Sequence, residues 1–551
     1  MKSDQKMPLR HHNFVREPAP RLSVTDGAKL TDALRCGATR REVMGWLIAS
    51  GMTATVAGTL IARASDVLAQ TPKNGGYLRV AGFSSSTKDT LDPAKGTLST
   101  DYVRGFMFYN ALARLDESLT AQPELAESWE ANADATEWVF RLRKDVTFHD
   151  GKKLDAQDVI YSILRHKDPK VASVAKTLAD QVQEVKADGP NVVRVKLVGG
   201  NVDLPVLLGT YNFLIIKNGT TDFSTADGTG PYSVKEFKPG VRSVALRNPN
   251  YWKSDKPHVE EIEFFGIEDN AARLNALLTD DVQMMGRLDP IGIPRLESTP
   301  GYAVFETKSG QFSELVMMED RAPSNNADLR AAFEDLFDRP RIVNTLLRGH
   351  GIVANDQPID PTNRFYCSDI PQRVQDFDKA KFHLKKAGME NATIPIYASD
   401  AAGRSIDMAV LLQQSAQQIG LKIEIRRQPA DAYWSNTWMK RAFHFALWDP
   451  RPTADIILTL AFKSDAEWNE SRWKSPEFDD LLLKARSEIN DEKRKKMYCR
   501  MQQLIHDDAG RAIVCFMSYL DGASSKLKGL RPIPLGNFGG GQFAEDVWLD
   551  S

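Results

Sequence analysis

The stretch IPIYASDAAGRSIDMAVLLQQSAQQIGLKIEI, residues 394–425, decides the fold class. Ile394 to Tyr397 reads as a short strand, residues 403–419 as a helix closed by Gly420, and Leu421, Ile423 and Ile425 alternate with Lys422 and Glu424 in a second strand. A strand, a crossover helix and a strand lie in a parallel sheet, because only a long connection brings the chain back to the same edge. The segment therefore predicts an α/β fold. Downstream, Phe443, Phe445 and Leu447 alternate in another strand that runs into Trp448-Asp449-Pro450-Arg451-Pro452. Two prolines fix φ at two positions and make that segment a rigid loop. Upstream, Leu329, Phe333, Leu336 and Phe337 share one helical face, with Pro340 expected to stop the helix.

The first half of the chain reads differently. Tyr77 to Phe83 is a short buried strand after Gly75-Gly76, and Val103, Phe106, Met107 and Ala111 follow at helical spacing. Trp138, Phe140 and Leu142 then alternate with polar residues, as do Val193, Val195 and Leu197 beyond the turn Asp188-Gly189-Pro190-Asn191, which gives this region a hairpin character. Between them Asp155 precedes Val159, Ile160, Ile163 and Leu164, an N-capped amphipathic helix. A chain of 551 residues exceeds what one core supports, so two packed lobes are expected.

Hydrophobic residues at 42%, charged residues at 26% and a net charge of -2 give no reason to expect a nucleic-acid partner. Charge is nevertheless uneven: residues 1–41 carry nine Lys/Arg against four Asp/Glu. An uncharged run from Met44 to Ala62 follows Arg40-Arg41, and Val67-Leu68-Ala69 offers small or compact side chains where a signal peptidase reads. That order predicts an exported protein cleaved near Ala69, with residues 1–69 as signal peptide. The paired arginines and the Gly, Ser and Thr that dilute the run make it similar to a twin-arginine signal. Of the four cysteines Cys36 lies in that segment, leaving Cys367, Cys499 and Cys515. Their spacing spells no zinc or iron–sulfur site, and either core thiols or one disulfide with a free thiol suits an odd count.

Phosphate-binding glycine loops, HExxH and GxSxG are all missing, so neither a cofactor nor a catalytic group is expected. His149, beside the turn pair Asp150-Gly151, reads as a structural surface residue.

Several phrases occur in order: Leu125-Ala126-Glu127-Ser128-Trp129-Glu130, Phe140 to Gly151, Asp155-Ala156-Gln157-Asp158-Val159, Gly228-Thr229-Gly230-Pro231-Tyr232, Asn248-Pro249-Asn250-Tyr251-Trp252, and Arg330-Ala331-Ala332-Phe333 running to Asp338-Arg339. From about Gly75 to the end the chain resembles the peptide/nickel type of extracellular solute-binding proteins of ABC importers. The resemblance implies a two-lobed α/β periplasmic binding protein fold with a hinge and an extra hairpin-rich subdomain in the first lobe. It implies a monomer that closes over one solute, docks on an inner-membrane ABC permease and turns nothing over. Mapped here, lobe I takes residues 75–118, 225–312 and 520–551, the inserted subdomain 119–224, and lobe II 313–519.

A ligand buried by hinge closure is expected on loops beyond the carboxyl ends of strands. Phe83, Ser84 and Ser85 follow the first strand, and the segment from Trp448 to Asp455 follows the Phe443 strand. Peptide binders resemble Trp-x-x-Asp there, the aspartate receiving the ligand's ammonium, whereas this chain has Trp448-Asp449-Pro450-Arg451. A guanidinium at that position inverts the electrostatics and suits a carboxylate or phosphate, with Asp455 expected to orient Arg451. A shift of two residues would restore Asp449 as an amine acceptor and an ordinary dipeptide or oligopeptide binder. Trp434 is expected as a cleft wall, and Asn355 and Asp356 as polar groups from a turn-rich loop. An exported redox enzyme is the alternative from a different class, raised by the twin-arginine signal alone.

Overall fold

The computed structural model describes residues 40–49, 57, 71–430 and 432–550. Arg40–Ala49 is a helix; the rest of the apolar run and the cleavage expected after Ala69 lie outside the described residues. No helix among the described residues is long and apolar enough to cross a membrane.

From Lys73 onward one sheet of eleven strands organises the chain. Its order is Lys422–Arg427, Thr393–Ala398, Phe443–Trp448, Tyr302–Met317, Arg511–Ser524, Met284–Met285, Tyr77–Gly82, Glu261–Gly266, Arg242–Arg247 and Tyr232–Lys238, with Gly351–Val353 also paired to Arg511–Ser524. Thr393–Ala398 and Lys422–Arg427 are parallel, in register from Thr393↔Lys422 to Ala398↔Arg427, and helix Ser405–Gln417 connects them, as the deciding stretch requires. That helix starts two residues later than the spacing suggests, because Gly403 sits at φ 66° in the turn before it.

The two long strands Tyr302–Met317 and Arg511–Ser524 run antiparallel through the middle of the molecule. Their pairing is continuous from Tyr302↔Ser524 to Thr307↔Tyr519, breaks, and resumes at Gln311↔Met517. Three residues, 308–310, therefore face the single residue Ser518, a bulge that bends and twists the ribbon. On one side of it Arg511–Ser524 pairs with Met284–Met285; on the other Tyr302–Met317 pairs with Phe443–Trp448. A core around Val80, Phe264, Met284 and Ala523 fills the first lobe, and one around Leu315, Phe333, Ile396, Met408 and Phe445 fills the second.

A separate sheet, Ala126–Ala131, Glu137–Leu142, Val192–Leu197 and Val182–Ala187 in that order, forms the hairpin-rich region. Trp138, Phe140 and Leu142 with Val193, Val195 and Leu197 are buried on one face under helix Ala156–Leu164, whose N-cap Asp155 accepts from Gln157 N at 2.8 Å. Pro340 does not stop the helix of Leu329 and Phe333. Ala327–Leu336 ends at Phe337, where ψ turns to 120°, and Pro340 opens the next helical turn, capped by Asp338, where its missing N–H costs nothing. Cys367 and Cys499 form a disulfide and Cys515 is a buried free thiol. His149 is half-buried: its Nδ1 accepts from Gly228 N at 3.3 Å and its Nε2 donates to Gly230 O at 3.1 Å, so it pins that glycine loop instead of lying on the surface. A Cβ on Gly228 or Gly230 would come within 2.0 and 2.3 Å of the Phe108 carbonyl group, so the loop tolerates no side chain there.

Candidate functional site

Strand Phe443–Trp448 delivers its carboxyl end to the bulge of the long strands: Trp448 pairs with Phe312. The chain leaving Trp448 thus starts beside the bulge, and Pro450 and Pro452 restrict its path. A pocket of ≈ 380 Å³, open mouth included, forms here. Leu119 and Pro534 line it, with Gly310 from the bulge and Asp360, Asp449 and Arg451 from the loops beside it. A Cβ on Gly310 would stand 2.7 Å from Asp360 Oδ2, so this glycine admits the carboxylate to the pocket.

Arg451 is half-buried, its guanidinium 5.8 Å from the centroid of the Trp448 ring. A cation over an indole face is attracted by the ring quadrupole. Its Nε is buried and has no hydrogen-bond partner among the described residues, an expensive state for a charged donor unless something else satisfies it. Asp449, by contrast, is engaged: Oδ1 accepts from Gln311 Nε2 at 2.8 Å and lies 3.5 Å from the Tyr519 hydroxyl. Tyr211 and Tyr519 both feel Arg451 and Asp449, and burial holds both phenols above their ordinary range. Tyr102 stacks on Tyr211 with centroids 3.5 Å apart. Burial raises the Asp360 carboxyl, while hydrogen bonds from Thr362 oppose it.

Beneath the loop, Trp448 stacks on Phe312 with centroids 6.5 Å apart and donates Nε1 to Glu470 at 3.1 Å. Glu470 and Glu314 both bind Arg511, and all three are buried. The platform under Arg451 is therefore fixed by a charged cluster and carries no mobile group.

The other expected residues lie elsewhere. Asp455 does not orient Arg451; it lies in the first turn of the helix that starts at Ala454, capped by Thr453, and accepts from Arg486 Nε at 3.0 and 3.1 Å, because helical rotation turns it away from the loop. Asp356 is buried in an ion pair with Arg339, at 2.6 and 2.8 Å, and with Arg373 at 2.9 Å. Asn355 donates to the carbonyls of Ile370 and Pro371 and accepts from Arg373 N, which makes both residues parts of a turn and not of the pocket. Phe83 lies under Arg287 at 5.3 Å, Ser84 Oγ lies 3.4 Å from the hydroxyls of Ser99 and Thr100, and Ser85 packs where Gly266 lacks a side chain. Trp434 is 40% exposed and meets Tyr433 and Trp438 edge-on. Gly310, Asp360, Tyr102, Tyr211 and Tyr519 were not legible as site residues; only the fold brings them to one place.

Two half-sheets joined by a shared ribbon, with a pocket formed at its bulge from segments far apart in the chain, suit a solute-binding protein. The chain belongs to the bacterial extracellular solute-binding proteins, family 5, whose model matches residues 120–458. It is 25% identical to a dipeptide-binding protein of Escherichia coli K12 over 495 residues, 82% of this chain and 92% of that protein. A Helicobacter pylori periplasmic binding protein solved with the peptide STSA matches at TM-score 0.71 and 24% identity, covering 87% of this chain and 99% of that one. AgaA from A. tumefaciens R10, solved with agropinic acid, matches at TM-score 0.70 and 21% identity, covering 86% and 99%. By its family, this chain is the periplasmic solute-binding component of an ABC importer. Those relatives are binding proteins.

Proposed function

We propose that this protein captures a small acidic or peptide-like solute between its lobes, with Arg451 holding the anionic end, and delivers it to an inner-membrane permease. The observation that carries the reading is the buried Nε of Arg451, unpartnered among the described residues, in a pocket formed at the bulge. Guanidinium presents a planar fork to carboxylate or phosphate, and a bound anion would satisfy the donor that the protein leaves unpaired. The prior engagement of Asp449 by Gln311 and Tyr519 favours Arg451 over Asp449 as the ligand's charged partner. Peptides and agropinic acid, held by relatives of this fold, both carry carboxylates.

The hinge is assigned to the bulge at 308–310 and Ser518, where two strands alone join the half-sheets. This fits lobe boundaries near 312 and 519, with 119–224 as the inserted subdomain. Residues 1–69 act as a twin-arginine signal that is cleaved near Ala69, and the mature protein works as a monomer. Thermal-shift screening against amino acids, di- and tripeptides, opines, sugar acids and nickel tests the reading, since a ligand bound to the native state raises its melting temperature. Stabilisation by carboxylate-bearing compounds supports it; stabilisation by nickel or by amines lacking an anionic group contradicts it.

A further inference from the structure

Far along the chain from the pocket loop, the inserted subdomain touches the second lobe directly. Asp203 is 5% exposed, and its Oδ2 accepts from Arg494 Nη2 at 2.8 Å. Arg364 approaches its other oxygen at 3.6 Å. Beside them Val202 N donates to Arg486 O at 3.0 Å, a backbone bond between the two bodies. Gly200 sits so close that a Cβ there would be 2.8 Å from Ser487 Cβ, and Ile456 packs against the core of the inserted sheet. None of these residues lines the pocket.

Arg494 is built to wait for its partner. Its Nε donates to Ala485 O at 3.1 Å, and its guanidinium lies 4.7 Å from the centroid of Phe365 and 5.5 Å from that of Tyr498. These contacts come from the second lobe alone and hold the fork in place whether or not Asp203 is present. The Asp203 backbone is placed within the inserted subdomain at the start of Leu204–Leu207, its N–H donating to Asn201 Oδ1 at 2.9 Å, while its carboxylate makes no cap hydrogen bond there and turns to Arg494. A guanidinium fixed by its own body gains from meeting a short carboxylate on the other, because little side-chain freedom is lost when they do.

We propose that Asp203 and Arg494 form a latch that holds the cleft shut and so sets ligand affinity without touching the ligand. The proposal rests on the hinge reading above. A ligand's apparent affinity scales with the fraction of molecules in the binding-competent form, so a latch acts on every ligand alike, whereas Arg451 selects among them.

The test needs no ligand. Spin labels on Lys186→Cys and Lys379→Cys, both well exposed, report the distance between the inserted subdomain and the second lobe. Native Cys515 is buried, with its thiol pushed up to about 12 by burial, and escapes labelling. The latch predicts a short-distance population in the parent that falls about tenfold against the long one in Asp203→Ala, and less in Asp203→Asn, which keeps an acceptor oxygen. Leu119→Trp, a wedge at the pocket, serves as the opening control. If the wedge lengthens the distance but both Asp203 variants match the parent, or if the parent has no short population, the latch is wrong and the hinge stands. If the wedge also changes nothing, the hinge reading itself fails.

Discussion

Replacing Glu314 by glutamine should remove a large part of the protein's pH dependence of stability. Glu314 and Glu470 share one guanidinium, Arg511, which donates Nε to Glu314 at 2.7 Å, Nη2 to Glu470 at 2.5 Å and Nη1 to Ala461 O at 2.9 Å. All three side chains are at most 1% exposed. Two carboxylates around one cation cannot both stay ionised away from water, and burial pushes Glu314 from its usual 4.5 up to about 8. Between those values the folded state keeps a proton that the unfolded chain has released. Stability from this group is therefore fully present below about pH 4.5 and is lost as the pH rises through about 8. One pKa unit corresponds to about 1.4 kcal/mol, so on the order of 3 kcal/mol disappears between pH 5.5 and 7.5. Glutamine, like the protonated acid, is uncharged, and stays so at all pH values. Urea unfolding of both proteins across that range should show wild type losing on the order of 3 kcal/mol relative to Glu314→Gln. Taking the difference cancels Glu334, which burial also raises to about 8, and His444 and His166, which burial lowers to about 4. A difference constant to about 0.5 kcal/mol across the range would refute a proton held in this cluster.

Asp356→Ala strands the buried Arg339 and should cost about 3–5 kcal/mol of stability while leaving ligand affinity unchanged, as denaturation and calorimetry on the same variant would show. Serine at both Cys367 and Cys499 opens a loop of 132 residues and should lower stability by up to about 5 kcal/mol in denaturant melts; no loss would show that the bond carries no weight. Saturating ligand should reduce the radius of gyration in small-angle scattering, the signature of lobes closing about the bulge at 308–310.

The fold was legible wherever a period was clean. The strand, helix and strand of residues 394–425 and the alternation at Trp138, Phe140 and Leu142 are local patterns set by one buried face each. Helix ends were less so: Pro340 looked like a stop because a proline's effect depends on which turn it occupies, and that is fixed by the capping Asp338. That Arg451 lines a pocket was legible because two prolines and a preceding strand restrict the loop. Asp455 was misread, since a helix begins at Ala454 and a side chain's direction then follows helical rotation, which turned it to Arg486. Tyr102, Tyr211, Gly310, Asp360 and Tyr519 carry no motif; they converge only through the pairing of long strands and the approach of the lobes.

The central claim is that Arg451 binds the anionic end of the solute, and titration calorimetry of a carboxylate-bearing hit from the thermal screen against wild type, Arg451→Ala and Arg451→Lys tests it most directly. Removing one partner of a desolvated charge pair costs about 3–5 kcal/mol, so alanine should weaken binding about a hundred-fold or more, with the melting temperature of the unliganded protein nearly unchanged. Lysine should recover only part of the loss, because an ammonium cannot form the bidentate fork. Alanine binding with wild-type affinity would contradict the account.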